Sequence, residues 1–474
     1  MTDDATILSA TELSAAIRAR RLSCTEVMEA YLDRIGALNP QINAILYLRP
    51  RAELIAEART ADAELAAGRY RGWMHGMPHA VKDLAEVAGL PTSWGSRAWR
   101  GHRSHSDALH VARIRAAGAI FVGKTNTPEF GLGSHTTNAL HGPTRNPWNL
   151  AKSAGGSSGG AGAALGARLM PVADGSDMMG SLRNPAAFNM VFGFRPSFGR
   201  VPGSGKGDVF LGQLGTAGPM GRTVADMARL LDTMAGYDPA DPLSLPDEDL
   251  TLHETTDFAG TRIAWFGDLG GHLPFEAGIL DTDANALKVL AGLGCEIEPV
   301  VPEFDMNALW QAWLVLRGFA ATPALTPLYA NPETRALLGP QAIWEVETAM
   351  GRSAAELHAA SVLRTHWYRT LCRLFERYDF IALPATQVFP FDVGHPWPAE
   401  IAGRRMDSYH RWMEVVIGPT LAGLPVAALP AGLSASGLPT GIQLVGKPRA
   451  DRHTLELAQA YEWAAGLLVA QAPV

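Results

Sequence analysis

Cysteine is scarce in this chain of 474 residues: Cys24, Cys295 and Cys372 are too few and too far apart for a disulfide framework or a zinc spacing. A reducing, cytoplasmic setting is the expectation. The opening stretch MTDDATILSATELS has neither the basic start nor the apolar core of a signal peptide, so export is not expected. Excess positive charge is missing as well. A net charge of −7 and a pI near 6.1 leave no basic surface to neutralise a phosphate backbone, which argues against nucleic acid as a partner. Residues 415–433 carry no charge, but Pro419, Pro425 and Pro430 interrupt any membrane helix there, and buried loop and strand is the reading.

What the chain does contain is ordinary globular composition, 47% hydrophobic and 18% charged, enough for a large core. Ser9 with Glu12 and Ser23 with Glu26 have capping-box spacing ahead of apolar residues at helical intervals, so the chain opens with helices. LHVARIRAAG (109–118) reads as a helix that hands over to the apolar run AIFVG. The same rhythm returns at 283–301, an amphipathic helix followed by an alternating strand, and a layered α/β fold follows. Residues 238–257 are acidic and weakly periodic, which suits a surface loop. Residues 308–378 are mainly helical and hold Trp310, Trp313, Trp344 and Trp367, with Trp397 and Trp412 beyond in loop-like sequence.

Two motifs mislead. GAIFVGKT (118–125) fits the phosphate-loop pattern letter for letter, but here a helix precedes it and AIFV is itself the strand. GGSSG (155–159) fits the nucleophile elbow of α/β-hydrolases, with Asp392 and His453 as nominal partners. The preceding NPWNLAKSA reads as a poor strand for that motif. His75 with His79, and His102 with His105, lack the companions of a metal site, and packing or solvated roles are expected.

Three stretches become informative together: HGMPHAVKDLAEVAG (75–89), SAGGSSGGAGAALG (153–166) and GSDMMGSLRNPA (175–186). With GKTNTPEFG, GPTRNPWN, GPMGRTVADMARLLD and SGLPTGIQLVG they resemble the amidase signature family over most of the chain. The resemblance implies a single domain over 1–474, built on a large mixed β-sheet covered on both faces by helices. Within it, 1–70 would supply N-terminal helices, 71–235 the signature core, and 303–415 a variable, mainly helical region lining the substrate.

The resemblance also implies a catalytic triad of Lys82, Ser157 and Ser181. Ser181 would be the nucleophile, Ser157, after a cis bond from Gly156, the relay, and Lys82 the base. A lysine can serve as base if burial disfavours its charged form. Backbone N–H groups of Met178, Met179, Gly180 and Ser181 are expected to receive the oxyanion, and Gly131 to border the substrate. Met179 stands where the family usually has glycine, so a positive φ there would strain it. Gly156, Ser158, Asp177 and Arg183 are assigned to structural support.

The implied reaction is serine acyl-enzyme hydrolysis of a small-molecule amide, preferably apolar or aryl, with no metal, cofactor, nucleic acid or membrane required. A homo-oligomer is compatible with the sequence. Carbamate or ester hydrolysis by the same triad is the alternative. The glutamine-hydrolysing component of an amidotransferase is another, although its usual aspartate-bearing stretch before GP is replaced here by GQLGTAGP. An inactive binding protein with this fold would have no need of the lysine and both serines, all of which are present.

Overall fold

The computed structural model describes residues 4–203, 207–252 and 256–466. At its centre lies an eight-stranded mixed sheet. Its order is Glu296–Pro299, Arg262–Trp265, Phe380–Pro384, Pro439–Val445, Val426–Leu433, Phe192–Arg195, Thr216–Gly221 and Val172–Asp177. The first three strands run parallel, and every later pair is antiparallel.

Side chains alternate between the two faces of a strand, and that alternation decides what covers the sheet. Phe380, Ala382, Ala427, Leu429, Ile442 and Leu444 join one apolar cluster with helices Val224–Met234, Ile279–Gly292 and Asp451–Ala465. Their neighbours Ile381, Leu383, Val426 and Val445 join another with helices Met306–Ala321 and Ala354–Leu374. Both faces are therefore buried beneath helices, as expected for this fold.

A second, three-stranded sheet holds Ile120–Thr125 between Ile45–Leu46 and Pro78–Lys82. Every residue of Pro78–Lys82 and of Ile120–Thr125 is buried. The Lys82 N–H donates to the Asp174 carboxylate at 3.3 Å, which ties the end of this sheet to the edge strand of the larger one.

Both capping boxes form, at Ser9 and at Ser23. Helix Leu109–Ala116 leads into strand Ile120–Thr125, so the AIFV of the phosphate-loop pattern is indeed strand. Helix Ile279–Gly292 precedes strand Glu296–Pro299. The described residues of 238–257 contain no helix or strand.

Two readings need correction. NPWNLAKSA does contain a strand, Asn149–Ser153, paired with Arg145–Asn146; four of its five residues are at least partly exposed, which removes the apolar signal. Residues 415–433 contain a short helix, Ile417–Ala422, because Pro419 falls in its first turn, where a missing N–H costs nothing.

Candidate active site

Lys82 closes the strand Pro78–Lys82 with its ammonium group in a cage of hydroxyls. Nζ lies 2.8 Å from Ser157 Oγ, 2.8 Å from Ser158 Oγ and 3.1 Å from Ser176 Oγ. The Ser176 carbonyl oxygen stands at 3.4 Å. Burial pushes the lysine from 10.5 down to about 7, against the opposing pull of the Asp174 and Asp177 carboxylates. Half of the side chains are then neutral near pH 7, the form that accepts a proton.

The serines arrive on two segments. Ser157 follows a cis peptide bond from Gly156 and precedes helix Gly159–Gly166. Ser134 Oγ donates to the Gly156 carbonyl at 2.5 Å, and Asn184 Nδ2 donates to Ser134 Oγ at 3.1 Å. Ser181 lies in the turn between strand Val172–Asp177 and helix Arg183–Asn189, and its carbonyl accepts the Ser158 N–H at 3.2 Å. Ser157 and Ser181 line one cavity of about 310 Å³, where the Ser181 hydroxyl makes no hydrogen bond to a described residue. Gly131, at φ +72, closes against Ser157. A Cβ there would stand 3.3 Å from Ser157 Oγ and 2.8 Å from Leu84 Cδ1.

Asp177 and Arg183 form a buried ion pair across the turn. Arg183 Nε and Nη2 donate to the two oxygens of Asp177 at 2.9 and 2.8 Å. The same guanidinium reaches the Val416 carbonyl, Gln443 Oε1 and Thr420 Oγ1. Arg195 adds a second cation, 3.4 Å from Asp177 Oδ1. Burial raises the Asp177 carboxyl, but its two arginines outweigh burial and keep it ionised.

The oxyanion donors need one correction. Gly180 N–H donates to Asp177 Oδ1 at 2.9 Å and is therefore spent on the turn itself. The N–H groups of Met178, Met179 and Ser181 donate to no described residue. Nor is Met179 strained: the positive φ of this turn, +79, falls on Gly180, and Met179 is buried as part of the apolar cluster that includes Phe188 and Leu214.

The cavity wall takes little from the tryptophans of 310–412. Of the six tryptophans between 310 and 412, Trp310, Trp313, Trp367 and Trp412 are core. The wall is instead Met178, Met179, Arg317, Ala320, Ala321, Ala324, Leu325 and Met413, with Trp94 and Phe130.

The histidines of the sequence search do other work. His75 bonds the Ala61 carbonyl, and His102 lies tilted against Trp94 and edge-on to Trp99. His105, Asp392 and His453 are exposed, so the hydrolase-elbow partners stand away from the cavity. Among the described residues no group of three or more His, Cys, Asp or Glu is placed to hold a metal, and no described helix is long and apolar enough to cross a membrane.

Sequence reasoning missed Ser176, whose single serine before Asp177 carries no pattern. It missed Asp174 too, which receives His79 Nε2 at 3.0 Å and has His110 Nε2 at 3.8 Å.

The profile of the amidase family matches residues 26–455, a span that contains every side chain of this site. The chain belongs to the amidase signature family. A solved bacterial aryl acylamidase of that family superposes on this amidase with a TM-score of 0.91 at 28% identity, covering 98% of this chain and 99% of the other. An acylamidase from Rhodococcus erythropolis is 40% identical over 322 residues, 66% of each chain. The A component of a glutamyl-tRNA(Gln) amidotransferase from Acidothermus cellulolyticus is 36% identical over 419 residues, 81% of each. Amide hydrolysis is thus the activity class of this amidase.

Proposed function

We propose that this amidase cleaves small carboxylic amides with apolar or aryl substituents through an acyl-enzyme on Ser181. The observation that carries the reading is Lys82: buried, drawn down to about 7, and 2.8 Å from a serine that shares an apolar cavity with Ser181.

Ser181 Oγ attacks the amide carbonyl carbon while its proton passes to Ser157 Oγ, and the Ser157 proton passes to Lys82 Nζ. Catalytic hydrogen bonds commonly tighten only once substrate is seated, and the unbonded Ser181 hydroxyl can turn to Ser157. The oxyanion is received by the N–H groups of Met178, Met179 and Ser181. Collapse breaks the carbon–nitrogen bond, and the amine leaves with the proton returned from Lys82 through Ser157. Water then repeats the sequence on the ester and frees Ser181.

A fluorophosphonate followed by peptide mapping tests the reading. The adduct is expected on Ser181, and recovery on Ser157 or Ser158 overturns it. Kinship to the A components of amidotransferases favours glutamine hydrolysis as a second reading. Free glutamine would bring a zwitterion against a wall of methionine, leucine and alanine, at a desolvation cost. Glutamine, an anilide, an aryl carbamate and a nitrophenyl ester assayed side by side separate the readings, with the anilide expected to be cleaved and glutamine not.

A further inference from the structure

Among the described residues lining the cavity of Ser157 and Ser181, Arg317 is the only cation. It sits on helix Met306–Ala321, and the spacing 317, 320, 321 brings it to the same face as Ala320 and Ala321 of the wall, with Ala324 in the turn that follows. Small side chains beside it leave the room that the cavity occupies.

Its guanidinium is held from behind. Nε donates to Glu345 Oε1 at 2.6 Å and Nη2 donates to Tyr409 Oη at 2.6 Å. Tyr409 Oη donates in turn to Glu345 Oε1 at 2.5 Å, closing a buried triangle. The rings of Trp313 and Tyr409 flank the group at 5.9 Å each. An arginine carries five N–H donors in a fixed plane. The triangle uses one on Nε and one on Nη2, and Nη1 bonds no described residue. A strut that served only to join two helices would not need to border the substrate cavity; this one does, with both N–H groups of Nη1 unspent.

Charge decides what those N–H groups suit. Glu345 already balances the guanidinium, so an anionic substrate group would lose its hydration in an apolar cavity for little net attraction. A neutral oxygen loses far less on entry and still gains a charge-assisted hydrogen bond.

We propose that Arg317 is a specificity residue, whose Nη1 bonds a neutral oxygen acceptor, such as an ether or ketone oxygen, on the acyl group of an otherwise apolar amide. This rests on the reading of Ser181 as the acylated residue.

The test compares 4-nitroanilides of 4-methoxyphenylacetic, 4-ethylphenylacetic and 4-carboxyphenylacetic acids. Their methylene insulates the reacting carbonyl from ring electronics. The methoxy substrate is expected to exceed its ethyl isostere by about ten- to a hundredfold in kcat/KM, mainly through KM, with the carboxylate poorest. Equal rates for methoxy and ethyl, or a preference for the carboxylate, overturn the proposal.

In Arg317→Met combined with Glu345→Gln, which strands no buried charge, the methoxy preference is expected to disappear. Arg317→Lys keeps the ion pair but not the planar fork, and is expected to lose the preference likewise. Thermal melting establishes that each variant is folded, and survival of the preference in a folded variant overturns the proposal. Failure of the underlying reading looks different: Ser181 would then escape fluorophosphonate labelling in the parent enzyme.

Discussion

Lys82 and Lys124 lie on adjacent parallel strands, with Val81 opposite Lys124 and Thr125 opposite Lys82. Both are buried, and burial pushes both down, to about 7 and about 8, against nearby carboxylates. Their company differs. Lys124 Nζ meets the Ala85 carbonyl, Thr92 Oγ1 at 3.2 Å and the Asp83 carboxylate at 3.8 Å. Lys82 Nζ meets three serine hydroxyls and a carbonyl. One step along the strand turns a side chain to the opposite face, so one lysine points at a carboxylate and the other at serine hydroxyls. Burial favours the neutral amine in both places; under the proposed mechanism, the hydroxyl that connects Lys82 to the cavity is what makes it the base.

The two regions predict opposite failures. Lys82→Ala is expected to lower amide kcat/KM by about a thousandfold and nitrophenyl ester kcat/KM by much less, because only the amine leaving group needs a proton. Equal losses on the two substrates would make Lys82 another strut. Lys124→Met should spare kcat and strike stability, since Asp83 would keep its burial without a cation, a change costing about 3–5 kcal/mol. Thermal melts and turnover on the same preparation check it, and a collapse of kcat with unchanged melting would erase the contrast.

The smallest effect concerns pH. The proposed mechanism makes neutral Lys82 the active form, so kcat/KM should rise with pH through a midpoint near 7. The unfolded lysine keeps its proton until about 10.5, so between about 7 and 10.5 the unfolded chain binds more protons, and stability should climb with pH across that window. Asp174→Asn removes a carboxylate that holds the lysine up, and its rate profile should move to lower pH. A profile that stays in place would leave Asp174 as packing alone.

The triad stretches were legible because each is a short, ordered pattern: AVKD, GGSSGG and GSLR. The brace was legible through the family resemblance, in which Asp177 and Arg183 match a structural pair. The destination of the Gly180 N–H was not, because it depends on which residue of the turn takes positive φ. The wall was only coarsely legible, as Gly131, the two methionines and a stretch of 303–415. Burying tryptophan rings is what the core needs most, and four of the six went there. The alanines of 320–324 carry no functional signal in sequence, because what they contribute is vacancy. Asn149–Ser153 escaped notice since a short hairpin strand with an exposed face has little apolar alternation to read.

Arg183 fastens the turn that carries Ser181 to Gln443 in the central sheet and to the Val416 and Thr420 segment, whereas Arg317, Ala320 and Ala321 of the cavity wall stand at the far end of helix Met306–Ala321. Met178 and Met179 move with the first support, the alanines with the second. Under the proposed function, enlarging or filling the space at 320–324 is expected to redraw the catalogue of accepted amides without loosening the bolt on Ser181, which makes this helix end the place for an engineer to begin.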